Sequence, residues 1–335
     1  MALSQIQISC PSELSATSSA LQFSEQMRSA GDTPLLILDF RRLRFAKPFA
    51  TLLVAQTIRE VAEARRLRGL KTRYLKSGFA VGERSAAIDY LGHVGFFEYA
   101  GIEFGNQPGE ALGSSTYLPI TVLSRTDLEA RYPGEKIQEA VTLKCRRLAA
   151  LLSPDEAERD VMMYCFREIV RNVFEHAETD QCTLMAQKYS GDLVQIAIAD
   201  EGIGVPTSLA KAHAFSSTEE ALRAALRPGV SSNLGGQTGD KWDNTGYGLF
   251  VASELGKATG SFCIISGGTL LNVSGAGETI FPFPLRGTAV RLTVSTADAE
   301  YFSNRLQQIV EEGERLAALD PNAITPASLS TRLKE

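Results

Sequence analysis

Two hydrophobic rhythms run along this chain. In the first third, Leu35 to Phe40 (LLILDF) is a short apolar run with Asp39 near its end, which predicts a buried strand. Pro48 follows, and then FATLLVAQTIREVAEARR, apolar at first and charged toward its end. Proline is tolerated in a first helical turn, so a helix is predicted from Pro48 onward. Gly69 precedes a second strand candidate, Leu70 to Leu75. Residues 84–102 (RSAAIDYLGHVGFFEYAGI) predict a further helix, broken near Gly92 and Gly95. The rhythm is that of an α/β unit.

Beyond it, Arg131 to Gly134 (RYPG) reads as a linker. Ile137 to Leu152 predicts a helix that carries Lys144, Arg146 and Arg147. The next stretch, SPDEAERD, predicts a second helix with Ser153 as its N-cap, Pro154 in the first turn and acids where the helix dipole favours them. It is expected to run to His176. Cys182 to Tyr189 and Leu193 to Ala199 are strand candidates joined by Ser190, Gly191 and Asp192, a hairpin signal. From Val205 to Asn244 there is one helical piece (TEEALRAALRPG) and a run rich in Gly, Ser and Asn. A loop of that length is more often a functional lid than a connector. Strands over Phe262 to Ser266 and Thr288 to Val294, an amphipathic helix over Ala297 to Leu319 and a polar tail complete the chain. The expected organisation is an α/β unit over 1–130, an α+β unit over 135–296 and a helix with a tail over 297–335, with no internal repeat.

Composition narrows the function classes. The 335 residues are 44% hydrophobic and 22% charged, a globular balance. Lys plus Arg total 34 against 39 acids, a net charge of -5 that argues against a protein built to hold nucleic acid. Basic residues cluster at Arg41, Arg42, Arg44 and Lys47, and again at Arg65, Arg66, Arg68, Lys71 and Arg73. These predict a solvated face or a docking surface for an acidic partner. Five scattered cysteines without a Cys-x-x-Cys pair predict neither a disulfide scaffold nor a zinc site. No stretch reaches the roughly 20 apolar residues of a membrane helix, and the amino terminus lacks a signal-peptide pattern, so a cytoplasmic location is expected.

Three segments carry candidate chemistry. In CFREIVRNVFEHAET, Glu168, Asn172 and His176 recur every four residues and share one helix face. A carboxylate, an amide and an imidazole stacked this way suit a hydrated cation and a phosphate, or are an ordinary polar face. In IAIADEGIGVP, Asp200 ends a strand, and Gly202 and Gly204 let backbone approach a flat ring. Its carboxylate can accept a hydrogen bond from an exocyclic amine. In DNTGYGLFVASELG, Gly246 and Gly248 precede an apolar helix whose free N–H groups would attract phosphate. No Gly-x₄-Gly-Lys-[Ser/Thr] loop, full dinucleotide fingerprint or Gly-x-Ser-x-Gly elbow competes with them.

In this order and spacing the segments resemble the N box, G1 box and G2 box of the GHKL ATPase family, and Arg286-Gly287-Thr288 resembles its last glycine box. The family includes histidine kinases, anti-sigma-factor serine kinases, type II topoisomerases and mismatch-repair proteins. The resemblance covers about half the chain, the length of one domain. It implies a Bergerat-type α/β sandwich that binds ATP with Mg²⁺. Asn172 would hold the Mg²⁺, Glu168 would be the general base, and Asp200 would bind the adenine amine between Gly202 and Gly204. Gly246 and Gly248 would close on the phosphates, Thr288 would lie near adenine, and His176 would touch phosphate or close its helix.

Only one strand and one helix are expected after Thr288, so the topoisomerase branch, with its transducer domain, is not the expected one. The 137–152 helix has no phosphoacceptor histidine. LLILDFRRLRFAKPFATLLVAQTIREV resembles the strand-turn-helix of a STAS domain, although its turn, Phe45-Ala46-Lys47-Pro48-Phe49, lacks the serine or threonine that antagonist STAS domains phosphorylate. A docking role for this module is therefore expected. Two functions follow: a nucleotide-gated switch that binds a protein partner with slow ATP turnover, and a serine/threonine kinase of the anti-sigma type. The oligomeric state stays open.

Overall fold

A computed structural model describes residues 4–76, 85–232, 245–328 and 331. The chain divides into two compact units: Met1–Gly113 with Leu118–Val122 and Leu184–Ala186, and the remainder. Arg131 to Gly134 falls inside the second unit, where Arg131 ends one helix and the other three residues precede the next.

In the first unit, β1 (Gln5–Ser9), β2 (Glu13–Leu14), α1 (Thr17–Ser29), β3 (Leu35–Asp39), β4 (Phe45–Ala46), α2 (Pro48–Leu67), β5 (Lys71–Leu75), α3 (Ala86–His93) and α4 (Phe96–Tyr99) follow one another. β1, β3 and β5 form a parallel sheet in the order β1-β3-β5, and β2 pairs with β4. α2 opens on Pro48 and is buried along nearly all of its first three turns, as its apolar run predicts. Phe40, just past β3, meets Phe23, Phe96 and Phe97 edge-on at 5.7 to 6.1 Å between ring centres. Such aromatic pairs add to the burial of a core.

Most of the basic residues in the two clusters are exposed, among them Arg42, Arg44, Arg66, Arg68, Lys71 and Arg73, and Arg65 is the exception. Arg41 is held by Asp39, with Nη2 2.7 Å from the carboxylate, and Arg66 pairs with Glu63. Arg65 is fully buried. Its guanidinium donates to Gly31 O at 2.8 Å, Thr33 O at 2.9 Å, Lys71 O at 2.5 Å and Thr72 Oγ1 at 3.0 Å. Arg65 thus joins the end of α2 to the loop before β3 and to β5. An Arg65→Ala exchange strands those carbonyls, and the cost expected in urea unfolding is about 3 kcal/mol.

From Tyr117 onward the chain carries β6 (Tyr117–Ser124), α5 (Arg125–Arg131), α6 (Ile137–Leu152), α7 (Glu156–His176), β7 (Gln181–Tyr189), β8 (Leu193–Asp200), α8 (Val205–Leu209), α9 (Thr218–Ala225), α10 (Gly248–Thr259), β9 (Ser261–Ser266), β10 (Thr269–Ser274), β11 (Gly277–Pro282), β12 (Thr288–Ser295) and α11 (Phe302–Ala317). Seven of these strands form an antiparallel sheet in the order β11-β10-β9-β12-β8-β7-β6. α10 packs on β9, β10 and β12, and α7, α6 and α11 pack around it or on each other. The whole is a mixed α/β protein, as expected. None of the described helices is long and apolar enough to cross a membrane.

Three expectations need correction. Asp155, not Ser153, caps α7: its carboxylate accepts from Glu158 N–H at 2.9 Å. Ser153 ends α6 instead, and its hydroxyl accepts from Asp155 N–H at 3.1 Å. The stretch after Val205 holds a second helix, α8, which opens on Val205-Pro206. β10 and β11 form an additional hairpin beyond β9. All five cysteines are free and buried.

Candidate functional site

The strand ends are built first. β12 pairs with β8 on one side and β9 on the other, and the register sets Thr288 opposite both Asp200 and Ser266. Asp200, at the end of a strand buried on both faces, is therefore buried with it. Burial raises its carboxyl pKa to about 6 from an ordinary 3.8, while the backbone N–H groups of Gly202 and Thr288 oppose the shift. The Gly202 N–H donates to Oδ1 at 2.8 Å. Gly202 itself backs onto Ala177, whose carbonyl oxygen would lie 2.1 Å from a Cβ there. No longer side chain fits between that turn and the end of α7.

Ser266 is a positioning residue that sequence reading missed. Its hydroxyl donates to Gly287 O at 3.1 Å and accepts from Val205 N–H at 2.9 Å. With its proton committed to Gly287, the 3.0 Å contact with Thr288 is donated by the Thr288 hydroxyl. A serine before the Gly267-Gly268 turn was the available signal, and it is a weak one.

The helices supply the other wall. α7 presents Asn172 and His176 to one cleft, together with Asp200, Gly204, Gly246, Gly248 and Thr288. Residues from four separate segments thus meet in one cavity. Most of the remaining lining is apolar, with Ile169, Val173, Ile198 and Leu249 among it, as suits a flat heterocycle. Gly202 does not line the cleft and acts through Asp200. His176 Nδ1 lies 3.1 Å from Ser232 Oγ. Residues 233–244, the last part of the expected lid, lie outside the described residues.

Glu168 lies one turn before Asn172 and faces a second, smaller cavity, which Asn172, Gly246 and Gly248 line as well. The Arg167 guanidinium holds Glu168 Oε1, with Nε at 3.0 Å and Nη2 at 2.8 Å, and both side chains are buried. Oε2 faces the start of α10: a Cβ at Gly248 would lie 2.7 Å from it and 3.7 Å from Asn172 Nδ2. Asn172 Nδ2 is buried and has no hydrogen-bond partner among the described residues. A buried amide without a partner costs about 1–3 kcal/mol, so an oxygen-rich ligand at this spot would relieve a standing penalty.

Among the described residues, no three His, Cys, Asp or Glu side chains gather as metal ligands. Compared with protein-family models and with curated proteins, the chain matches none.

Proposed function

We propose that this chain binds ATP in the larger cleft and works as a nucleotide-gated switch for a protein partner, with slow turnover. What carries the reading is the convergence of Asn172, Asp200, Gly246, Gly248 and Thr288 on one cavity, as the GHKL resemblance implies for ATP. Adenine fits the apolar end, where Asp200 accepts from its exocyclic amine. The phosphates fit the end where α10 begins, since the first N–H groups of a helix have no partner within it. The partnerless Asn172 Nδ2 suits a phosphate oxygen.

Mg²⁺ would be held at Asn172 together with the phosphates. This cation is commonly bound through one or two protein groups, substrate phosphates and water, so no cluster of acids is required. It would supply neutralisation of charge on the phosphates. The parallel three-stranded unit, STAS-like in sequence, would be the docking module for the partner.

Calorimetry with ATP and ADP, with and without Mg²⁺, tests the proposal. ATP at about a hundred times its Kd is expected to stabilise the chain by about 2.7 kcal/mol. Asn172→Ala is expected to weaken MgATP binding by about tenfold or more, roughly 1.4 kcal/mol, and to spare metal-free ADP. No binding by the wild-type chain removes the proposal. Equal partner affinity with and without nucleotide removes the switch.

Glu168 favours a second reading, a serine/threonine kinase of the anti-sigma type. Its carboxylate is held by Arg167 at the mouth of α10, where a base for an attacking hydroxyl would stand. Release of labelled phosphate without any labelled protein would count against it.

A further inference from the structure

The carboxy-terminal tail, polar in sequence, folds back onto the second unit instead of trailing in solvent. Ile324 N–H donates to Gly229 O at 2.8 Å. Ala327 N–H donates to Glu314 Oε1 at 2.8 Å, and Ser328 N–H donates to Thr245 Oγ1 at 3.1 Å. Ala327, Ser328 and Thr331 are buried as a result. Ser328 Oγ and Thr331 Oγ1 lie 2.9 Å apart, and both residues line the small cavity beside Glu168, Asn172 and the 246–248 turn.

The two cavities share Asn172, Gly246 and Gly248, and they differ at their ends. Asp200 and Thr288 belong to the larger one. Glu168, Ser328 and Thr331 belong to the smaller. A nucleotide with its base at Asp200 and its phosphates at Asn172 therefore points its terminal phosphate toward two buried hydroxyls and a carboxylate.

We propose that Ser328 and Thr331 form an intramolecular phosphoacceptor site, at which the chain transfers the terminal phosphoryl group of bound ATP to its own tail. The inference rests on the nucleotide reading above and adds the acceptor to it. In the transfer, a hydroxyl oxygen bonds to the γ-phosphorus, and the bond from that phosphorus to the β,γ-bridging oxygen breaks. ADP leaves with the electron pair, and the hydroxyl proton passes to Glu168. Arg171, which also lines the small cavity and is ion-paired with Glu175 at 3.0 Å, would share its guanidinium with the new phosphate.

The test uses the full chain with ATP and Mg²⁺, followed by intact mass and peptide mapping, with thermal shift in parallel. The expected result is a gain of one phosphoryl group, mapped to Ser328 or Thr331, at a rate independent of protein concentration. The double variant Ser328→Ala/Thr331→Ala is expected to lose the gain and keep the ATP-dependent thermal shift, and the single variants report which hydroxyl reacts. Thr331→Glu is expected to bind a non-hydrolysable triphosphate analogue about tenfold more weakly and ADP unchanged, because its charge sits where the terminal phosphate would lie. A thermal shift without a mass gain, or with a gain that the double variant keeps, overturns the acceptor assignment and leaves nucleotide binding standing. A rate proportional to protein concentration overturns transfer within one molecule. Absence of any shift with ATP removes the nucleotide reading itself.

Discussion

Asp200→Asn is expected to make the nucleotide-free chain more stable at pH 8 by about 2 kcal/mol while it weakens nucleotide binding. The cause is burial. A carboxyl whose pKa rises from 3.8 unfolded to about 6 folded binds its proton more tightly in the native state. Between those values the native chain carries more protons than the unfolded one, so stability falls as pH rises. The group's favourable contribution is complete below about pH 4 and lost above about pH 6. That shift corresponds to about 3 kcal/mol of penalty at neutral pH. Asparagine escapes the penalty, but its single carbonyl oxygen must serve both Gly202 N–H and Thr288 N–H, which takes back about 1 kcal/mol. Urea unfolding at pH 4.5, 6 and 8 reads the difference, which should be small at the lowest pH and full at the highest. A variant that gains nothing at pH 8 would mean that the carboxyl is not desolvated. Asp200→Ala removes the acceptor altogether, and a loss of ATP and ADP affinity of about a hundredfold, near 2.7 kcal/mol, is expected in calorimetry. A site that tolerates an unstable group for the sake of its ligand fits the usual exchange of stability for function.

What the sequence made legible follows from how local each cause is. α6 matches its predicted bounds, and α7 ends where predicted, because a 3.6-residue apolar period is written in neighbouring positions. Asp200 and the 246–248 turn stood out because each sets an unusual residue at a predicted element boundary, and Asn172 because it recurs four residues from Glu168 and from His176 on one helix face. β11 was not. It lies at the sheet edge with no buried residue, so it shows no alternation, and its pairing with β10 is what defines it. Ser266 matters only because three strand ends meet in register, a fact no single segment contains. Arg65 and the tail share this character. Their partners lie at Gly31 and Thr33 in one case and at Gly229 and Thr245 in the other, far along the chain, so both read as solvated polar stretches.

Two glycines of the site are expected to part company on exchange for alanine. At Gly202 a new Cβ would stand 2.1 Å from the Ala177 carbonyl oxygen and 2.9 Å from its carbonyl carbon. Both belong to backbone at the end of α7, which cannot withdraw without moving the helix. Separation of the Asp200 turn from α7 opens the wall of the cleft, and a loss above about 4 kcal/mol is expected, a size confined to a few mechanisms such as this overpacking. At Gly248 the nearest atom is Glu168 Oε2 at 2.7 Å, the far end of a side chain that can turn aside. The backbone at Gly248 has no positive φ, so alanine brings no strain there, and Gly248→Ala should remain folded with little change in its melting temperature. The displaced carboxylate, however, leaves the mouth of α10, and the new methyl group fills the approach to Asn172. Melting curves and ATP titrations of the two variants separate these outcomes: Gly202→Ala should melt early, whereas Gly248→Ala should melt normally and bind ATP more weakly than ADP. If Gly248→Ala binds ATP as the wild type does, the phosphates do not lie against α10, and Glu168 has no part in the chemistry assigned to it.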